Sequence, residues 1–183
     1  MRMDVIKVPK WIGVSGSWRT TSPEVERDVR KCAKEIALAG NGLVTGGALN
    51  VDYQATDEVL QLKRPRQIKV FLPTSYTTYV AHYRKRAREG VVTPQQAENL
   101  ISQLAILKEQ NPEGLMENLK NTGVNEQTYY ERNTAVVNAS DELIAFQVNN
   151  SAGTQDAINK ARTKGIPVKV YSYEITEDQE AKK

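Results

Sequence analysis

Apolar and polar positions along this chain recur in two periods, and the switches between them predict its elements. Trp11-Ile12-Gly13-Val14-Ser15 reads as a strand, followed by a loop from Gly16 to Thr21. Ser22-Pro23-Glu24 supplies an N-cap, a proline at the first helical position and an acid in the first turn. Val25, Val29, Cys32, Ala33 and Ile36 then share one helical face until Gly40 and Gly42 stop the helix. Cys32 on that stripe reads as a small core residue, not a nucleophile. Leu43-Val44-Thr45 is a second strand running into Gly46-Gly47, and a helix from Asn50 turns Val51, Ala55, Val59 and Leu60 inward. Ile68-Lys69-Val70-Phe71-Leu72 is a third strand, ended by Pro73. Strand and helix alternating at this spacing is the signature of βαβ units with a parallel sheet.

Between residues 74 and 125 the pattern changes. Thr93-Pro94-Gln95-Gln96 forms a capping box with proline at its first helical position, and Ala97, Leu100, Ile101, Leu104 and Leu107 line one face of the helix that follows. Asn111-Pro112-Glu113 reads as the start of a shorter helix carrying Leu115, Met116 and Leu119, ended by Gly123. The apolar stripe of this helical insertion either packs on the core or forms a partner interface, and a homo-oligomer is expected. The α/β pattern resumes with a helix near 126–138 and the strand Glu142-Leu143-Ile144-Ala145-Phe146, read as buried on both faces. Ser151-Ala152-Gly153-Thr154 turns into a helix ending at Gly165, and Pro167 to Tyr171 is the last strand. The polar tail from Thr176 reads as frayed. The expectation is one α/β domain over 1–183, with a mainly parallel sheet and a helical insertion at 74–125.

Composition narrows the function classes. The 183 residues are 39% hydrophobic, enough for one buried core. No apolar run approaches the roughly 20 residues of a membrane span. Met1 to Lys10 has charges but no apolar core of a leader, so a cytoplasmic protein is expected. One cysteine excludes an internal disulfide framework, and one histidine argues against a zinc site or a serine–histidine enzyme. Neither metal nor cofactor is called for. The 25 basic and 22 acidic residues nearly cancel, but Lys63, Arg64, Arg66, Lys69, Arg84, Lys85, Arg86 and Arg88 fall in one stretch whose only acid is Glu89. That stretch is either a solvated helix face or, through Arg84, Lys85, Arg86 and Arg88 beside Tyr79 and Tyr83, a cationic stacking strip for single-stranded nucleic acid. His82 within it reads as a solvated histidine.

In an open parallel sheet, ligands bind beyond the carboxyl ends of the strands where strand order reverses. Ser15-Gly16-Ser17, Thr45-Gly46-Gly47-Ala48 and Ser151-Ala152-Gly153-Thr154 all occupy such ends. Each joins small residues to a helix N-terminus, where free amides and the helix dipole favour anions. Singly, such a turn serves strand-to-helix geometry alone; three at one edge point to a phosphate or similar anion. The first turn lacks GxGxxG spacing and the chain has no GxxxxGK[ST], which disfavours an ordinary NAD site and excludes a P-loop.

Gly16-Ser17 and Val44-Thr45-Gly46-Gly47-Ala48-Leu49-Asn50-Val51-Asp52 resemble the "GS…vTGGAxGvD" signature of the SLOG superfamily. Glu131-Arg132-Asn133-Thr134, Ala139 to Phe146, Ser151-Ala152-Gly153-Thr154-Gln155-Asp156-Ala157, Ala161 and Gly165-Ile166-Pro167-Val168 are similar to the later pattern of its YspA-type and DprA groups. The resemblance covers about residues 11–172 except the insertion. It implies a Rossmann-like three-layer sandwich that binds a nucleotide or nucleotide derivative. Relatives include DprA, which binds single-stranded DNA, the LOG phosphoribohydrolases, which cleave the N-glycosidic bond of nucleoside monophosphates, and ligand-sensing domains. Two positions depart from the pattern. Asn50 stands where glycine is usual and requires a residue tolerant of left-handed backbone. The LOG "PGGxGTxxE" loop is shortened to Ser151-Ala152-Gly153-Thr154-Gln155-Asp156, with an aspartate for the acid.

The expected ligand-binding residues are therefore Gly16, Ser17, Trp18, Gly46, Gly47, Asp52, Arg132, Asn133, Ser151, Gly153 and Thr154. Arg132 would hold a phosphate through its planar donors, or pair with Glu131 or Asp156 at the surface. Trp18 would stack on a base or cap the edge of the core. Asp52 would complement its helix dipole or accept from a ribose hydroxyl. Thr154 and Gly153 would hold a phosphate or merely cap a helix. In a hydrolase, Asp156 is the candidate acid, with Arg132 on the phosphate, but its shorter side chain shifts its reach.

Overall fold

The computed structural model describes residues 9–176, so the tail from 177 onward lies outside the described residues. Twelve main elements follow in chain order: β1 (Trp11–Gly16), α1 (Pro23–Leu38), β2 (Gly42–Thr45), α2 (Val51–Gln61), β3 (Ile68–Phe71), α3 (Tyr76–Arg88), α4 (Pro94–Gln110), β4 (Leu115–Met116), α5 (Glu126–Asn138), β5 (Glu142–Val148), α6 (Ala152–Lys164) and β6 (Val168–Tyr173). Among the described residues the strands form a six-stranded sheet in the order β4-β3-β2-β1-β5-β6. Every pairing is parallel. From β1 the chain first builds outward through β2 and β3, then returns to the other side of β1 for β5 and β6. Strand order therefore reverses between β1 and β5. Helices flank the sheet, giving the Rossmann-like three-layer sandwich.

Residue alternation in β5 shows how the layers are held. Phe146 and Val148 join the larger core with Ile12, Val14, Leu43 and residues of α1, α2 and α4. Leu143 and Ala145, one position out of phase, join a smaller core with Val137 of α5 and Ala157, Ile158 and Ala161 of α6. A strand buried on both faces belongs inside a parallel sheet. Local chemistry sets the helix ends as the sequence predicts. The Ser22 hydroxyl caps α1, Thr93 and Gln96 form the reciprocal capping box of α4, and Gly165 closes α6 in the left-handed region at φ 81°.

The segment 74–125 differs in part from its expected form. The stripe Ala97, Leu100, Ile101, Leu104 and Leu107 of α4 lies wholly in the larger core, so it serves the fold and not a partner surface. The expected α-helix starting at Asn111 does not form. A single 3-10 turn at Pro112–Gly114 leads into β4, which pairs with β3 at Val70↔Leu115 and Phe71↔Met116. Leu119, expected on a helical face, is 76% exposed. The side chain of Asn111 explains the break, donating to the Pro65 and Ile68 carbonyls and docking the turn against the start of β3. No helix among the described residues is long and apolar enough to cross a membrane.

Candidate functional site

A cavity of about 620 Å³ opens at the carboxyl edge of the sheet, beside the reversal between β1 and β5. Its size is that of a small-molecule site. The three small-residue turns meet here: Ser15, Gly16 and Ser17 at the end of β1, Gly46 after β2, and Ser151, Gly153 and Thr154 at the start of α6. Trp18, Asp52, Arg132 and Asn133 also line it. Of the residues expected at the site, Gly47 and Asp156 do not.

The turn after β2 is built around one buried ion pair. Oδ2 of Asp52 accepts hydrogen bonds from the Gly46 and Ala48 amides at 3.2 Å each, and lies 3.9 Å from Nη1 of Arg132. Burial pushes the Asp52 carboxyl up from its usual range, against the opposing pull of Arg132 and the two amides. The Asp52 carboxylate thus holds the turn and its arginine. Arg132 donates through Nη1 to the Gly46 carbonyl and through Nε to Oδ1 of Asn133, and its guanidinium sits 5.4 Å from the Tyr129 ring centroid. Its partner is Asp52, not Glu131 or Asp156 as in the surface alternative. Only 10% of the Arg132 side chain is exposed, and Nη2 makes no hydrogen bond to the described residues.

The two glycines of this turn face opposite ways. A Cβ on Gly46 would lie 2.3 Å from Nη1 of Arg132, so its bare backbone is the seat of the guanidinium. A Cβ on Gly47 would meet Leu72 and Val70 at 2.9 Å, on the core side, and φ there is +65°. This explains why Gly47 is absent from the cavity wall. Asn50 adopts φ 59°, the positive value that glycine usually supplies. Its side-chain amide donates to the Trp18 carbonyl at 2.5 Å, tying the first turn to the second, a bond glycine could not make.

The α6 wall supplies donors. Ser151 precedes the helix without capping it through its side chain; its hydroxyl bonds Thr154 Oγ1 at 2.7 Å instead. The first amides of an α-helix have no intrahelical acceptor, so those of residues 152–154 remain available at the positive end of the dipole. A Cβ on Gly153 would meet no heavy atom within 4 Å.

Asp156 stands apart from this arrangement. Its Oδ2 accepts from Asn133 Nδ2 at 3.0 Å and from Lys160 Nζ at 2.8 Å. One helical turn separates Asp156 from Lys160, and that ion pair together with Asn133 fixes the carboxylate off the cavity wall. The basic stretch is also rearranged. Arg84 pairs with Glu98 at 2.9 Å and Arg86 with Glu89 at 3.0 Å. Tyr79 and Tyr83 are 1% and 4% exposed, with the Tyr79 hydroxyl donating to the Gly47 carbonyl. Of the two readings of this stretch, the stacking strip loses its rings, because both tyrosines belong to the core. His82 packs among Tyr79, Tyr83 and Tyr129 and is half-buried, where burial and then Arg86 pull its proton affinity down.

Sequence reasoning missed part of the wall. Arg19, Tyr83, Arg86, Glu126, Tyr129, and Tyr130 all line the cavity. Glu126, Tyr129, Tyr130 and Asn133 share the i, i+3, i+4, i+7 spacing of one helical face, a polar and aromatic stripe running up to Arg132-Asn133. Trp18 resolves to the cavity side, 37% exposed, with Arg19 at 4.9 Å from its ring centroid.

Comparison with known proteins places the fold. No protein-family model matches the chain, and no curated protein matches it by sequence. Among solved structures, it is similar to DNA processing protein A from Helicobacter pylori, a structure described for its single-stranded DNA binding mode. The TM-score is 0.66 at 20% identity, over 92% of this chain and 68% of that one. The chain shares the Rossmann-like fold of that structure. The same architecture occurs in the molybdenum cofactor carrier protein of Chlamydomonas reinhardtii, at TM-score 0.55 and 16% identity over 94% of this chain and 81% of that one. A molybdenum cofactor binding protein from Rippkaea orientalis gives 0.54 and 18%, over 94% and 80%. At these identities the likeness is one of fold.

Proposed function

We propose that this protein binds a nucleotide or nucleotide-derived ligand in the cavity, with an anionic group against the start of α6 and Arg132. The observation that carries the reading is the meeting of three donor-rich elements on one cavity of about 620 Å³: the turn after β1, the uncapped amides of α6 and the guanidinium of Arg132. Ser17, Ser151, Gly153 and Thr154 line the wall with small side chains, Gly153 leaving its backbone open to the ligand, while Gly16 and Gly46 make room for Val51 and Arg132. Asp52 and Asn133 position Arg132, and Trp18, Tyr129 and Tyr130 offer ring faces. Solved structures of this fold include proteins described as carrying or binding the molybdenum cofactor, which supports a small-molecule ligand.

Two other readings have less support. N-glycosidic hydrolysis needs an acid beside the bound sugar, and Asp156 is held away from the cavity by Lys160 and Asn133. Single-stranded DNA, named for the Helicobacter pylori protein, would here meet arginines already paired with Glu98 and Glu89.

Isothermal titration of the full chain with inorganic phosphate, pyrophosphate and nucleoside mono- and diphosphates tests the proposal. Saturable binding of one or more of these, weakened at least tenfold by Arg132→Met or by Gly153→Leu, supports it. Absence of binding by every member of the panel overturns it.

A further inference from the structure

We infer that Glu126 makes this cavity select a ring that presents adjacent N–H donors, the guanine class, over one that presents an acceptor there, such as adenine. The inference rests on the nucleotide reading above. It begins with the direction of α5 through the site. Asn125 and Thr128 form a reciprocal capping box that fixes the first turn of α5, so the place of Glu126 is set. From there one helical face runs down the cavity wall through Tyr129, Tyr130 and Asn133, with Arg132 beside it. Arg132 is nearly buried at the inner end, whereas Glu126 is exposed at the outer end. Six residues at 1.5 Å rise separate them by about 9 Å along the axis. That is the scale that parts the phosphate of a nucleoside monophosphate from the far edge of its base.

The cavity wall carries two carboxylates, Asp52 and Glu126. Asp52 is committed to the Gly46 and Ala48 amides and to Arg132. Glu126 has no ion pair among the described residues, and its bonded neighbour is the Tyr130 hydroxyl. One hydroxyl donor leaves most of the acceptor capacity of a carboxylate unused.

An ionised carboxylate only accepts. A guanine edge offers it an endocyclic N–H next to an exocyclic amine, two parallel donors for two oxygens. Adenine turns an unprotonated ring nitrogen to the same place, which sets two acceptors against each other. The rings of Tyr130 and Trp18, which line the same cavity, supply apolar faces for a heteroaromatic ring.

Isothermal titration of the full chain with GMP, IMP, AMP and inorganic phosphate, for the unmodified protein and for Glu126→Gln and Glu126→Ala, decides the matter. GMP is expected to bind roughly tenfold or more tightly than AMP, the worth of a hydrogen bond to a charged group. IMP, with the ring N–H but no amine, should fall between them. Both substitutions should erase the preference by weakening GMP, without weakening AMP, and should leave inorganic phosphate within about twofold of its former affinity, since hydrogen bonds to Glu126 are what they remove. Equal affinities for GMP and AMP, or a preference that survives Glu126→Ala, overturn the inference and leave phosphate binding standing. If neither phosphate nor any nucleotide binds, the nucleotide reading falls as well.

Discussion

A Gly153→Asp substitution places a carboxylate at the second position of α6, where no heavy atom lies within 4 Å of the Cβ position. Nothing inside the protein is displaced. The new charge sits among the uncapped first-turn amides, an interaction worth about 0.3–1 kcal/mol at a helix N-terminus. Removing glycine from the helix adds up to about 0.5 kcal/mol. The unliganded protein is thus expected to gain about 0.3–1.5 kcal/mol, a rise in melting temperature of about 1–6 °C for a chain of this size. An anion bound by the same amides would now lie about 4 Å from a like charge, costing on the order of 4 kcal/mol at an effective dielectric of 20. Thermal unfolding with and without pyrophosphate reads both effects. The unmodified protein should be stabilised by pyrophosphate, whereas the variant should start higher and gain nothing. A variant that keeps the full ligand-induced shift would refute the placement of the anion at α6. One that melts lower without ligand would refute the open space assigned to Gly153.

Other substitutions probe separate parts of the account. Gly46→Ala should push the Arg132 guanidinium from its seat, lower stability by about 1–3 kcal/mol and weaken pyrophosphate binding; unaltered binding by calorimetry would show that Arg132 acts from elsewhere. Leu104→Ala, in the larger core, should cost about 2–5 kcal/mol by denaturant unfolding, and a loss below 1 kcal/mol would contradict the packing of α4 into that core. Asp156→Asn should leave pyrophosphate affinity within about twofold, because its carboxylate is spent on Lys160 and Asn133; a tenfold loss would return it to the site. Burial pushes the Cys32 thiol up to about 12 from an ordinary value of 9.0. Between those values the unfolded chain releases the proton and the native chain keeps it, so stability should fall as pH rises from about 9 towards 12, by up to about 1.4 kcal/mol per unit. Cys32→Ala should remove that slope, and an unchanged profile would contradict the assignment.

The elements most legible in the sequence were those whose signals are local. The Ser22-Pro23 start of α1, the Thr93–Gln96 box of α4 and the Gly165 stop of α6 each depend on a few neighbouring residues, and each is found in the structure. The residues of β4 carry no local signal of a strand, because Leu115 and Met116 suit a helix equally well and only their pairing with β3 makes them a strand. The arginines around Tyr79 and Tyr83 dominate the local composition and leave a surface strip open as a reading. Their spacing of four residues is equally that of a buried helical face, and the Gly47 carbonyl supplies the partner that lets the Tyr79 hydroxyl be buried. The three turns of the cavity were legible as a group because small residues before helix starts are visible without tertiary information. The pairing of Arg132 with Asp52 joins elements far apart in sequence, and no local pattern announces it. The Lys160 that draws Asp156 aside did stand in view, one turn further along the same helix.

Chemical-shift mapping of backbone amides during titration of the full chain with pyrophosphate, then with GMP, tests the central claim most directly. The account predicts the largest changes at Gly16, Ser17, Gly46, Ala152, Gly153 and Thr154 with pyrophosphate, extending to Glu126 and Tyr130 with the nucleotide. Changes confined to Arg84, Lys85, Arg86 and Arg88, or none at the start of α6, would contradict it.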